Sequence, residues 1–202
     1  MQRRHLIVMV KKPIAGTVKT RLGRGIGMTS AAWWFRHQSQ KLIRDLQDPC
    51  WTLSLAVSPD YHAYDQKIWP KHLRRYPQGH GDLGLKMRQI IKGAPQGPVC
   101  LIGGDIPSIK KSYLNDAFRA LGHSEFVFGP ACDGGFWLVG ARHNTRLPAR
   151  FFQNVRWSSP HALQDSIGSL SGRSVSYVKT LSDVDTLEDL RRLKVHFSCN
   201  DL

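Results

Sequence analysis

The stretch HLIVMVKKPIAGTVKTRLG, residues 5–23, joins two segments of opposite character. HLIVMV is a short, continuous apolar run, the pattern of a strand buried on both faces. KKPIAGTVKTRLG holds three lysines, one arginine, two glycines and a proline, with no acid. So much positive charge on a flexible loop at a strand end calls for an anion. GTVKT is not a P-loop, because Val18 stands where that pattern requires a glycine before the lysine. The physics is similar, however. Gly16 lets the backbone approach a phosphate closely, and its neighbours offer N–H donors. Lys19 and Arg21 add charge, and Arg21 can grip a phosphate with two parallel hydrogen bonds. The competing reading is a solvated basic loop.

Outward from this junction, short apolar runs alternate with helical patterns. Thr29 or Ser30 is expected to cap a helix running to about residue 47, with Ala32, Phe35, Leu42, Ile43 and Leu46 on its buried face. Strands are expected at 51–57, 73–78, 98–104, in EFVFGP and GFWLVGA, and at 174–178. Further helices are expected at 83–93, 110–121, near 160–170 and from about Thr186. Such alternation indicates an α/β fold with a mainly parallel sheet. With 202 residues, the chain is expected to form a single domain over 1–202. Ligands of such sheets bind beyond the carboxyl ends of the strands. That rule selects the loops 11–24, 103–108, 130–135 and 179–186.

Composition narrows the partners. Hydrophobic residues make up 41% of the chain, enough for a packed core. No apolar run approaches the roughly 20 residues of a membrane span. Basic residues precede HLIVMV as in a signal peptide, but lysines follow at once and no small-residue cleavage site appears. A first strand and a cytoplasmic location are therefore expected. Cys50, Cys100, Cys132 and Cys199 are widely spaced with no C-x-x-C pair, which argues against zinc. Cys100 and Cys132 lie in apolar contexts and read as buried thiols. The net charge of +14 points to an anionic partner: nucleic acid, nucleotide phosphates or acidic lipid.

Three further loops carry carboxylates. In LIGGDIPSI, Asp105 ends an apolar strand and is either the N-cap of a following helix, with Pro107 in its first turn, or a metal ligand. In GPACDGGFWLVG, Asp133 and two glycines signal a tight turn, which lies on one rim with Asp105 if the sheet order is as inferred. In SDVDTLEDL, Thr186 or Asp185 can cap the last helix, with Glu188 and Asp189 in its first turn. Asp183 and Asp185 also follow the last strand, so one of them could face Asp105. Two such carboxylates would hold Mg²⁺ or Mn²⁺, which neutralises phosphate charge.

The ordered string K-x-P-x-x-G-x-V-K-T-R-L, G-D-L-G, G-x-D-x-P, G-P-x-x-D-G-G-[FY], W-S and D-V-D-T-x-x-D-L, from Lys11 to Leu190, resembles a bacterial family of nucleotide-diphospho-sugar transferases. That family has the glycosyltransferase-A fold, a three-layer α/β sandwich with a mainly parallel mixed sheet. Its members are commonly labelled glycosyltransferases, and its relatives include guanylyltransferases of cofactor biosynthesis. The resemblance implies that Lys11, Gly16, Lys19 and Arg21 hold the donor's phosphates. It implies that Gly81, Asp82, Leu83 and Gly84 lie near the base or ribose. Asp105 matches the metal-binding aspartate, and Asp185, or less well Asp183, the second metal carboxylate. Asp133, Gly134 and Gly135 match a turn lining the acceptor side, and Trp157 and Ser158 the W-S element. Asp105, Lys19 and Asp133 are the residues expected to carry catalysis. Leu85 and Lys86 depart from the acidic residue that often follows G-D-L-G, and Phe136 replaces the usual tyrosine.

The expected function is a metal-dependent transferase using a nucleotide-activated donor and a small acceptor. Glycosyl transfer from a nucleotide-sugar and nucleotidyl transfer from a nucleoside triphosphate stand nearly even. The alternative is a basic nucleic-acid-binding protein, which the charge and the run Trp33, Trp34, Phe35 would serve. No nucleic-acid motif supports it, and these aromatics are expected to be buried in a core or interface. A catalytically dead nucleotide binder ranks lower, because both carboxylate positions are retained. Tryptophans left exposed on the 29–47 helix would suggest a homodimer.

Overall fold

The computed structural model describes residues 3–65 and 68–198, of which 194–198 by backbone alone. Cys199 lies outside the described residues. Strand β1 (His5–Lys11) alternates its apolar side chains between two cores. Leu6, Val8 and Val10 join one core, Ile7 and Met9 the other. A strand buried on both faces has no solvent side to make polar, so the run is continuously apolar.

The remaining strands are β2 (Thr52–Ser58), β3 (Arg74–Pro77), β4 (Val99–Gly103), β5 (Phe126–Pro130), β6 (Phe136–Ala141) and β7 (Val175–Tyr177). They form one seven-stranded sheet in the order β3-β2-β1-β4-β6-β5-β7. β6 runs antiparallel to β4 and β5, while all other pairs are parallel. The helices are α1 (Thr20–Ile26), α2 (Met28–Asp45), α3 (Leu83–Gly93), α4 (Lys111–Ala120), α5 (Ala162–Gly168) and α6 (Leu187–Ser198). Leu42 and Ile43 of α2 and Leu114, Ala117 and Phe118 of α4 pack on the face of Leu6 and Val8. Met87, Ile90 and Ile91 of α3 pack on the face of Ile7, and α5 joins them through Leu163 and Ile167. The fold is thus the expected three-layer α/β sandwich around a mainly parallel mixed sheet.

Several local expectations need correction. Residues 20–26 form α1 where a loop was expected; a seven-residue helix with two glycines carries too little periodicity to be seen. Neither Thr29 nor Ser30 caps α2. The helix starts at Met28 behind Gly27, whose φ of 88° makes the break between α1 and α2. No helix starts at Asp105: the chain turns there, Pro107 lies in the turn, and α4 begins only at Lys111. Cys100 is buried, and burial pushes its thiol well above its ordinary value, but Cys132 is exposed because the strand ends before it. Trp33 is 63% exposed and its ring packs tilted against that of His37, centroids 3.9 Å apart, whereas Phe35 is buried and Trp34 half-buried beside it.

Sheet order fixes where a ligand can sit. From β1 the chain moves outward through β2 and β3, then returns to place β4 on the other side of β1. The loops leaving the adjacent central strands β1 and β4 flank a crevice at the carboxyl edge of the sheet, where the strand order reverses.

Candidate functional site

A cleft of about 540 Å³ lies at this crevice. Lys11 lines it from the end of β1, Lys19 from the loop that follows and Arg21 from the start of α1, Asp105 from the loop after β4, and Asp133 and Gly135 from the loop after β5. Asp183 and Asp185 complete the rim, and Leu83, Trp157 and Ser158 form further wall. Gly16, Gly81, Asp82, Gly84 and Gly134 do not line it.

The carboxylate rim is built by backbone pairing. Leu181 bridges to Ala131 in parallel, with Leu181 N–H donating to Pro130 O (3.1 Å) and Cys132 N–H to Leu181 O (3.2 Å). Trp137 Nε1–H donates to Lys179 O (2.8 Å) and ties the same segment to β6. Residues 183–185 are thereby carried along the strand ends toward Asp105. Thr186 caps α6: its hydroxyl accepts from Asp189 N–H, and Asp189 Oδ2 accepts from Thr186 N–H (2.8 Å). This reciprocal cap leaves the Asp185 carboxylate free for the cleft.

Lys19 sits at the centre. Its Nζ lies 2.7 Å from Asp185 Oδ1 and 3.0 Å from Asp105 Oδ2, with the side chain only 5% exposed. Burial alone would depress its ammonium. The Asp105 charge, then the hydrogen bond and charge of Asp185, outweigh burial and raise it above its ordinary value. Its backbone adopts φ 46°, ψ 46°, a left-handed conformation costing a non-glycine residue about 1 kcal/mol. The conformation immediately precedes α1, whose Gly25 approaches Leu187 of α6, so the turn is held against the segment bearing Asp185. Arg21 reaches the other oxygen of Asp185 at 3.4 Å and remains largely exposed. Asp183 is half-buried; burial first, then the Asp185 charge, raise its carboxyl above the ordinary range, with Lys19 opposing.

The glycines of the motifs have separate local causes. Gly16 has φ 80° and nothing within 4 Å of the place a Cβ would take, so its requirement is the turn itself. Gly84 is a close approach: a Cβ there would meet Phe152 Cβ at 2.7 Å and Trp157 Cζ2 at 2.8 Å. Asp82 caps α3, accepting from Leu85 N–H at 2.7 Å. At Gly103 a Cβ would crowd Asp105 Oδ1 at 2.9 Å, so the glycine leaves room for that carboxylate. Asp133 Oδ1 accepts from Gly135 N–H (2.9 Å) and closes the turn. Gly134, at φ 85°, packs against the backbone of Pro160.

Trp157 and Ser158 belong to a strained segment. Phe152, Asn154 and Ser158 all have positive φ. Arg156 anchors it to α5 by a bidentate ion pair with Asp165 (2.8 and 2.9 Å), and the Arg156 hydrogen bonds hold the Asp165 carboxyl well below its usual range. Trp157 packs on Phe136 and Phe152.

The donor set suits a hard divalent cation. Asp105 and Asp185 each aim an oxygen at one point, that of Lys19 Nζ, and oxygen ligands are what Mg²⁺ and Mn²⁺ take. Among the described residues no three His, Cys, Asp or Glu side chains are already grouped as ligands. Lys19 is the third member of the cluster. Sequence reasoning missed Gln78, a buried polar residue on the cleft wall that follows β3. Its only signal was a glutamine closing an expected strand.

Comparisons with known proteins agree with this fold. The model of the family DUF2064, described as an uncharacterized protein conserved in bacteria, matches residues 42–159. No curated protein matches the chain. A provisionally assigned nucleotide-diphospho-sugar transferase from Desulfovibrio desulfuricans G20 superposes with a TM-score of 0.84 at 28% identity, over 96% of this chain and 87% of that one. The 4-diphosphocytidyl-2C-methyl-D-erythritol synthase of Anaerococcus prevotii DSM 20548 gives a TM-score of 0.61 at 12% identity, over 98% and 99% of the two chains. Rv0371c of Mycobacterium tuberculosis H37Rv, solved in complex with manganese, gives 0.54 at 14% identity, over 95% and 97%. The resemblance carried by the six motifs is borne out, and the chain has the nucleotide-diphospho-sugar transferase fold. No helix among the described residues is long and apolar enough to cross a membrane.

Proposed function

From a chain that belongs to the DUF2064 family and has the nucleotide-diphospho-sugar transferase fold, we propose a transferase that uses a nucleotide-activated donor. The observation that carries this reading is the Lys19–Asp105–Asp185 cluster at the crevice between β1 and β4, with Lys11 and Arg21 beside it. Lys11, Lys19 and Arg21 neutralise a polyphosphate, and the turn at Gly16 lets backbone N–H groups approach it. Asp105 and Asp185, with Asp183 behind them, would hold a Mg²⁺ or Mn²⁺ ion. When bound, that ion supplies further neutralisation of phosphate charge. The acceptor enters on the side of Asp133, Gly135, Trp157 and Ser158.

Nucleotidyl transfer is the reading we favour, because three cations between the end of β1 and the start of α1 match a triphosphate better than a diphosphate. An acceptor oxygen attacks the α-phosphorus, the new P–O bond forms, the bond to the bridging oxygen breaks, and pyrophosphate leaves. Lys19 and Arg21 stabilise the charge that gathers on the leaving pyrophosphate, and positioning supplies the rest. Glycosyl transfer is the second reading, favoured by the assignment of the Desulfovibrio protein. Titration calorimetry with Mn²⁺ separates them. Tighter binding of a nucleoside triphosphate than of the matching nucleotide-sugar supports nucleotidyl transfer, and the reverse supports glycosyl transfer. Binding of neither contradicts both.

A further inference from the structure

Phosphate binding by Lys19 and metal binding by Asp105 and Asp185 draw on side chains that are bonded to one another. Lys19 Nζ lies 2.7 Å from Asp185 Oδ1 and 3.0 Å from Asp105 Oδ2. The remaining oxygens are turned elsewhere. Asp185 Oδ2 faces Arg21 Nη1 at 3.4 Å. Asp105 Oδ1 lies against Gly103, 2.9 Å from the place a Cβ would take. A divalent ion that joins the two carboxylates must therefore take the oxygens that Lys19 holds. Mg²⁺ and Mn²⁺ approach such oxygens to about 2.1 Å, inside the distance of Nζ, and would meet an ammonium of their own sign. The two cations compete for one place. Lys19 is built to yield it. Its backbone is fixed, because Lys19 O accepts from Gly23 N–H at 2.8 Å and the preceding Val18 is buried against Ala32 and Phe35. From that root a flexible four-carbon stem can carry the ammonium to a new partner. Lys11 and Arg21 line the same cleft, so a polyphosphate drawn to them brings that partner.

We propose that Lys19 is a resident competitor of the divalent ion, weakening its binding to Asp105 and Asp185 until a polyphosphate draws the ammonium onto its own oxygens. This rests on the reading of a metal-dependent, nucleotide-activated donor above and deepens it by coupling the two ligands. Phosphate charge is what lets two cations share the crevice, with Lys19 on the phosphate and the ion on the carboxylates. Ion and donor thereby strengthen each other's binding, and by linkage each does so by the same factor. The ion alone gains little from the site, because it must first displace a bonded ammonium.

The test uses Mn²⁺ alone, with no nucleotide, read by the electron paramagnetic resonance signal of the free ion in titrations of the wild-type protein and Lys19→Met. The variant should bind Mn²⁺ at least about fivefold more tightly, because two carboxylates that have lost a close cation attract another more strongly. Equal or weaker binding in the variant overturns the inference and leaves the metal reading intact. If neither folded protein binds Mn²⁺, the metal reading itself falls and the inference with it. A second measurement uses the wild-type protein only, and decides should Lys19→Met fail to fold. Lysines are acetylated with acetic anhydride and mapped by mass spectrometry. Labelling of Lys19, whose side chain is 5% exposed, should rise at least about threefold on saturation with Mn²⁺, as the displaced ammonium reaches solvent. Labelling at Lys19 that stays level or falls overturns the inference.

Discussion

Lys19 Nζ donates to Asp185 Oδ1 at 2.7 Å across 166 residues of sequence, and the same nitrogen lies 3.0 Å from Asp105. One end of the chain thus supplies the cation, the other end an anion, and the centre of the sheet the second anion. The first prediction concerns this cluster. Lys19→Met leaves two facing carboxylates with only the largely exposed Arg21, beside Asp185, as a counter-ion. The loss should be about 1–2 kcal/mol, less than for a fully buried pair, because both carboxylates are partly solvated. Urea denaturation measures it. Adding Asp185→Asn should return part of the loss, giving a coupling of at least about 0.5 kcal/mol in a double-mutant cycle.

The same carboxylates predict the metal response. Asp105→Asn should weaken Mn²⁺ binding at least about tenfold, because hard cations bind through anionic oxygens. The electron paramagnetic resonance signal of free Mn²⁺ reads this directly. Unchanged affinity would remove Asp105 from the metal site.

Two glycines of one helix should respond in opposite ways. Gly84→Ala pushes a methyl into Phe152 and Trp157 and should destabilise by about 1–3 kcal/mol. Gly93→Ala, at the end of α3 with nothing within 4 Å of its Cβ position, should be neutral or stabilise by up to about 1 kcal/mol. Thermal unfolding of the two variants checks the contrast. Gly84→Ala should also weaken ligand binding, since it displaces the wall that Trp157 forms.

His5 predicts a pH dependence remote from the cleft. Burial first, and the Arg3 charge second, lower its pKa from 6.5. Between the folded and unfolded values the unfolded chain binds more protons, so stability rises with pH across that window. The contribution is fully present above 6.5 and is lost as pH falls toward the folded value. His5→Gln should flatten this part of a stability–pH curve obtained by denaturant titration.

Much of this was legible in the sequence, for reasons that differ by element. HLIVMV and PVCLIGG declared a doubly buried sheet because strands without a solvent face need no polar alternation. Helix α3 was placed at its observed bounds, 83–93, because Asp82 caps it and its apolar spacing is regular. Helix α1 was not legible, because its start depends on Lys19 taking a left-handed backbone that no residue type announces. The choice for Asp105 between cap and site could not be made locally. The cap is excluded by the turn that follows β4, and the sheet brings Asp105 to Lys19, 86 positions upstream. Gln78 escaped notice because its meaning lies in two backbone carbonyls on other strands. Trp33 misled for the opposite reason: it looks like core, but lies on the outer face of α2.

The central claim is that the crevice between β1 and β4 is a polyphosphate site completed by Asp105 and Asp185. Its most direct test is thermal unfolding of the wild-type protein with Mn²⁺ alone, each nucleoside triphosphate alone, and both together. One triphosphate with Mn²⁺ should raise the midpoint more than the two separate shifts combined, consistent with about 2.7 kcal/mol for a ligand at 100 times its Kd, and Asp105→Ala should abolish the excess. No shift in folded protein, or an excess undiminished in Asp105→Ala, would contradict the claim.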